Sequence, residues 1–206
     1  MSDAAALDRV WTVPNLLSAA RLGLAIVLFV AIEQEWHQAA LALFLVAAST
    51  DWVDGWWARR FQQVSRLGRI FDPLVDKVII CGAYVLLAAA AETSIAPWMA
   101  VVVVMRELVV TAVRAEMERA GHDFSAAFSG KLKMVLQCAA VALELAVRTW
   151  PEWQPAGGGL AGGPGATSLR QVATVVSWAA VIATVWSGLE YLVAARSLLT
   201  GGKPTA

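Results

Sequence analysis

Long apolar runs separated by short polar stretches set the rhythm of this chain, at about 15–34, 37–58, 70–91, 94–117, 129–148 and 170–195. Each is close to the roughly 20 residues a helix needs to cross the hydrocarbon core of a bilayer. Backbone polar groups in lipid must be paired within their own segment, so helices rather than open strands are expected. The pattern predicts an all-α integral membrane protein with six transmembrane helices. Ahead of them, residues 1–13 set Leu7, Val10 and Trp11 among Asp3, Asp8 and Arg9. That spacing suits a short interfacial amphipathic helix, and it suits an unstructured tail equally well.

Composition agrees with a membrane setting. The 206 residues are 59% hydrophobic, with ten tryptophans and a mean hydropathy of +0.63, more than a water-soluble domain of this length normally carries. The length suits a single domain over residues 1–206. Sixteen basic and sixteen acidic residues cancel, so net charge argues neither for nor against nucleic acid, and no nucleic-acid partner is expected. Cys81 and Cys138 lie inside apolar segments without metal-ligand spacing and read as small core residues. No cleavable signal peptide is evident, because the first apolar run follows Asn15 and continues too far.

Charge placement orients the segments. With both termini on one side, fourteen Lys and Arg residues fall on that side and two, Arg148 and Arg170, on the other. The positive-inside rule makes the terminal side cytoplasmic. Trp36, Trp98, Trp150 and Trp153 then fall near the outer ends, and Trp11, Trp56 and Trp57 near the inner ones, as an interfacial aromatic belt predicts. The expected location is a bacterial-type inner membrane, with the chemistry facing the cytoplasm.

That chemistry centres on four acids: Asp51 and Asp54 close one apolar segment, and Asp72 and Asp76 open the next. Carboxylates at membrane-segment ends call for a compensating charge, and a bound cation is the simplest. Residues three and four apart share a helix face, so Asp51, Asp54, Gly55 and Ala58 form one stripe and Asp72 and Asp76 another. Gly55 and Ala58 remove bulk beside the acids, and Arg59 follows in a place suited to a phosphate. An all-oxygen donor set favours magnesium or manganese, with room for two ions. The competing reading, helix caps or exposed loop acids, fits any single Asp better than it fits all four in register.

The spacing D-x2-D-G-x2-A-R-x8-G-x3-D-x3-D, filled by Asp51, Asp54, Gly55, Ala58, Arg59, Gly68, Asp72 and Asp76, resembles the signature of the CDP-alcohol phosphatidyltransferases. These are integral membrane enzymes of phospholipid synthesis. The resemblance implies CDP-diacylglycerol as donor, with metal held by Asp51, Asp54, Asp72 and Asp76. It also implies Asp76 as general base and contacts to the cytidine diphosphate from Asp51, Asp54, Gly55, Ala58, Arg59 and Gly68. A homodimer in membrane lipid is the expected assembly.

A second polar group interrupts later segments: Arg106, Glu107 and Arg114, then Lys131 and Lys133. Arg106 and Arg114 are close to two helical turns apart and face the same way. Intramembrane arginine is costly and usually pairs or lines a wet cavity. Positive-inside bias accounts for Arg119, Lys131 and Lys133 about as well as ligand binding does, but not for the deeper Arg106. A cavity presenting Arg106, Arg114, Lys131 and Lys133 suits an acceptor that itself bears a phosphate. Flanking pieces extend the resemblance: Val13–Leu17 with Arg21, Met105–Leu108, Gly130–Lys133 with Gln137, and Trp186 to Arg196. They resemble the members whose acceptor is glycerol 3-phosphate.

Alternatives remain at this stage. Within the family the acceptor could be phosphatidylglycerol, giving a cardiolipin synthase, or inositol phosphate. Outside it, intramembrane acids fit a divalent-metal transporter, though transport favours acids near the bilayer midplane. The glycine- and proline-rich stretch 151–165 reads as an outer loop without phosphate-loop chemistry. His37 and His122, at an outer helix end and in an inner loop, make histidine catalysis a poor fit.

Overall fold

The computed structural model describes the backbone over residues 13–61, 66–119, 128–150 and 164–199, and side chains over 19–50, 74–75, 77–117, 129–150 and 167–196. Among the described residues there are six helices and no strand: α1 (Val13–Glu33), α2 (His37–Phe61), α3 (Arg66–Ala89), α4 (Pro97–Arg119), α5 (Phe128–Thr149) and α6 (Pro164–Leu199). The amphipathic helix anticipated for the N-terminus and the glycine-rich stretch 151–163 lie outside the described residues.

Three boundaries differ from those expected. α3 begins at Arg66 rather than near 70, which puts Gly68 on the helix. α4 begins at Pro97 rather than near 94, because residues 90–96 form a turn. α6 begins at Pro164 rather than near 170. In the last two cases a proline opens the helix, where its missing N–H costs nothing and its fixed φ fits the first turn.

The chain divides into two compact units. One comprises residues 1–86 and 145–161, the other 87–144 and 162–206. In the first, α1 packs on α2. Ala25, Leu28, Ala31 and Ile32 are buried on α1, and Ala40, Phe44 and Ala47 on α2, the three-and-four spacing of a helix face. The link between these helices is tight. Glu35 takes a left-handed φ of 58°, the Trp36 N–H donates to the Ala31 carbonyl at 2.9 Å and the Glu35 N–H to the Ile32 carbonyl at 3.1 Å. This is a Schellman end, with Glu35 in the position that glycine usually takes. In the same unit Gly82 of α3 lies against the ring of Phe29, and a Cβ there would overlap the ring.

In the second unit α4 packs on α6. The buried face of α6 carries Ala173, Ser177, Ala180, Thr184, Ser187 and Tyr191, while Val175, Ile182, Trp186 and Val193 on the other side are between 64% and 68% exposed. Polar groups inside and bulky apolar groups outside reverse the amphipathicity of a helix in water. Among the described residues, Thr167–Arg196 is long and apolar enough to cross a membrane, while His37–Thr50 and Lys77–Ala89 are shorter apolar stretches. The turn before α4 is fastened twice. The fully buried Glu144 of α5 accepts the Ser94 N–H at 3.0 Å, and Arg170 donates to the Glu92 carbonyl at 2.7 Å. Trp98 and Trp178 stack at a tilt, with centroids 5.3 Å apart.

Candidate functional site

Asp51, Asp54, Gly55, Ala58 and Arg59 all fall on the last turns of α2, and Gly68, Asp72 and Asp76 on the first turns of α3. Both stretches have helical backbone, so each aspartate pair stands at a spacing of three or four along one helix. The side chains of these eight residues lie outside the described set. All four acids offer only carboxylate oxygen, which fits a hard divalent cation.

The second polar group lies among the described residues and is built on three helices of one unit. Lys133 of α5 donates to Glu107 Oε1 of α4, with both side chains 8% exposed. The same oxygen lies 3.4 Å from Arg106 NH1. Arg106 NH2 donates to Ser187 Oγ of α6, and Arg114 NH2 donates to the Tyr191 hydroxyl at 2.6 Å. Both guanidinium carbons sit over the Tyr191 ring, Arg106 at 5.6 Å and Arg114 at 5.4 Å from its centroid. One ring therefore serves two cations.

Small residues let these side chains approach. At Gly188 a Cβ would stand 3.2 Å from Arg106 Cγ, so glycine lets the arginine stem lie along α6. A polar tie lies further along the helices: Gln137 Nε2 donates to Thr184 Oγ1 at 2.9 Å, and Thr184 donates in turn to the Ala180 carbonyl at 2.6 Å. A buried side-chain amide without such a partner would be costly.

Among the described residues, three cations of this group, Arg106, Arg114 and Lys133, stand with one carboxylate, Glu107. A phosphate monoester carries about −1.5 to −2 near neutral pH, whereas a phosphodiester carries a single charge. Among the described residues, the buried Nε–H groups of Arg106 and Arg114 have no hydrogen-bond partner, so each guanidinium retains a donor there.

Of the four cations expected to meet a phosphate, the structure brings three together. Lys131 is exposed and forms no ion pair among the described residues, because two residues from Lys133 is more than half a turn around the helix. Sequence reasoning singled out neither Ser187 nor Tyr191 as part of this group. The available signal was the polar recurrence Ser177, Thr184, Ser187 and Tyr191 along one face of an otherwise apolar helix.

The family model for CDP-alcohol phosphatidyltransferase matches residues 11–186, a span that contains both aspartate pairs and the cationic group on α4 and α5. The chain belongs to the CDP-alcohol phosphatidyltransferase family. Members of this family are enzymes and generally use divalent metals. Among curated relatives, the protein named CDP-diacylglycerol--glycerol-3-phosphate 3-phosphatidyltransferase in Escherichia coli (strain K12) is 33% identical over 192 residues, covering 91% of this chain and 96% of its own. Its namesake in Bacillus subtilis (strain 168) is 34% identical over 156 residues, covering 75% of this chain and 72% of its own. In this CDP-alcohol phosphatidyltransferase the two aspartate pairs stand on α2 and α3, while the cationic group occupies α4, α5 and α6.

Proposed function

We propose that this chain transfers the phosphatidyl group of CDP-diacylglycerol to the 1-hydroxyl of sn-glycerol 3-phosphate, giving phosphatidylglycerophosphate and CMP. The observation that carries the choice of acceptor is the group of Arg106, Arg114, Lys133 and Glu107, in which the lysine and glutamate are buried and the arginines half-buried, three cations meet one carboxylate, and two Nε–H donors have no partner among the described residues. That charge complements a monoester phosphate. A phosphatidylglycerol acceptor offers only a diester, which would leave part of it uncompensated. The names of the relatives, given for proteins matched over most of the chain, point to the same acceptor.

The chemistry divides between the two groups of residues. Asp51, Asp54, Asp72 and Asp76 would hold one or two divalent ions, magnesium or manganese, whose charge neutralises the donor diphosphate. Gly55, Ala58, Arg59 and Gly68, with Asp51 and Asp54, bind the cytidine diphosphate. Asp76 takes the proton of the acceptor hydroxyl as that oxygen forms a bond to the lipid-bearing phosphorus. The bond from that phosphorus to the CMP oxygen breaks, and CMP leaves with the electron pair. Arg106, Arg114 and Lys133 hold the acceptor phosphate, which leaves its hydroxyl free to react.

The setting is a bilayer crossed by all six helices, with the aspartates at the cytoplasmic ends of α2 and α3, in a homodimer whose protomers are each a single catalytic domain. Large exposed apolar side chains on α1, α4 and α6, such as Ile26, Leu108 and Val175 at 58%, 64% and 68% exposure, support lipid contact. The direct test is purified protein given labelled CDP-diacylglycerol and a panel of acceptors: glycerol 3-phosphate, phosphatidylglycerol, inositol phosphate and glycerol. Turnover with glycerol 3-phosphate alone supports the assignment. Preference for phosphatidylglycerol or inositol phosphate would replace it.

A further inference from the structure

We propose that Tyr191 is a positioning residue for the acceptor, holding Arg106 and Arg114 together as one receptor for a monoester phosphate; this rests on the acceptor assignment above. The two arginines stand eight positions apart on α4, which separates their Cα atoms by about 12 Å along the axis. Yet both guanidinium carbons come within 5.6 Å of the centroid of one ring. Two like charges drawn to one place repel, and an aromatic face offsets part of that cost because its negative quadrupole attracts each cation.

The hydroxyl adds direction. It accepts from Arg114 NH2 at 2.6 Å, while Arg106 is directed by Ser187 and Glu107 instead. The two arginines are thus fixed by different partners around a shared ring, and Tyr191 itself is only 3% exposed. Each retains a buried Nε–H without a partner among the described residues. A residue serving only to fill space between helices would need neither the hydroxyl contact nor two cations at its ring.

The role is separable from packing by a series at this position whose first two members retain the aromatic shape. Tyr191→Phe retains the ring and loses the acceptor oxygen. Replacement by trifluorophenylalanine retains nearly the same shape and weakens the ring quadrupole. Tyr191→Leu removes both features. The KM for glycerol 3-phosphate should rise in that order, reaching about tenfold for Tyr191→Leu. Over the same series kcat and the KM for CDP-diacylglycerol should change by less than about threefold.

Arg106→Ala and Arg114→Ala serve as the comparators. If they raise the KM for glycerol 3-phosphate while the fluorinated and Leu variants leave it unchanged, the positioning role is overturned and the acceptor site stands. If neither arginine variant affects that constant, the acceptor site itself is wrong and the role of Tyr191 falls with it. Equal loss toward donor and acceptor across the ring-retaining variants would mark Tyr191 as packing alone and overturn the proposal. Should Tyr191→Leu not fold, the step from phenylalanine to trifluorophenylalanine decides the matter.

Discussion

Lys133 and Glu107 form a buried ion pair that joins α5 to α4, each side chain 8% exposed. Glu107 also faces Arg106 at 3.4 Å, so one carboxylate compensates two cations. Removing one partner of a buried pair leaves the other without compensation, at a cost of roughly 3 to 5 kcal/mol. Glu107→Gln is therefore expected to lower the unfolding temperature in detergent substantially, while Lys133→Met, which removes a charge and leaves Glu107 beside Arg106, should cost less. Thermal unfolding followed by tryptophan fluorescence distinguishes them. Equal stability of Glu107→Gln and the parent protein would show that the pair carries little of the fold.

Acceptor binding should follow the same geometry. Arg106→Ala is expected to raise the KM for glycerol 3-phosphate about ten- to a hundredfold, since charge-assisted hydrogen bonds contribute roughly 1.5 to 3 kcal/mol. Lys133→Ala should act in the same direction but less, because an ammonium lacks the bidentate fork. Lys131→Ala, at an exposed side chain, should leave the constant within about twofold, as surface charges contribute little. Steady-state kinetics with the acceptor varied at saturating donor separates the three. A Lys131 effect equal to that of Arg106 would contradict the grouping described here.

Among the signature acids, rate and affinity should part company. Asp76→Asn is expected to abolish turnover with little loss of CDP-diacylglycerol binding, whereas Asp51→Asn and Asp54→Asn should weaken binding of metal and donor as well. Binding measured by calorimetry beside single-turnover rates resolves this. Equal loss of donor affinity in all of these variants would remove the case for Asp76 as a dedicated base.

The helical frame was legible because its signals are local. Long apolar runs lead directly to α1 through α6, and the three-and-four spacing of Asp51 with Asp54 and of Asp72 with Asp76 is a property of a single helix. The exceptions are also local: Pro97 and Pro164 shift two helix starts, and α3 begins at Arg66 in spite of the glycine at 68. Contacts between helices are another matter. That Glu107 accepts from Lys133, 26 positions away, and that Tyr191 meets two arginines of α4 depend on helix rotation, which periodicity alone leaves undetermined. Lys131 and Lys133 look alike in sequence and separate only once the face of α5 is known.

Packing in the other unit offers a further check. Gly82 abuts the ring of Phe29 so closely that a methyl group would overlap it. Overpacking a rigid site typically costs about 1 to 3 kcal/mol, so Gly82→Ala should destabilise the protein by that order, and Phe29→Leu in the same chain should recover part of the loss. Unfolding temperatures of the two single variants and the double variant test the contact. Simple additivity of the losses would show that the two residues do not meet.

The most direct test of the account as a whole is transfer of labelled glycerol 3-phosphate into lipid by protein reconstituted in liposomes containing CDP-diacylglycerol. The account predicts label in the organic phase and an equal amount of CMP in water, both requiring magnesium or manganese and both lost with Asp76→Asn. Divalent-cation uptake by the same liposomes, with neither labelled lipid nor CMP formed, would contradict it.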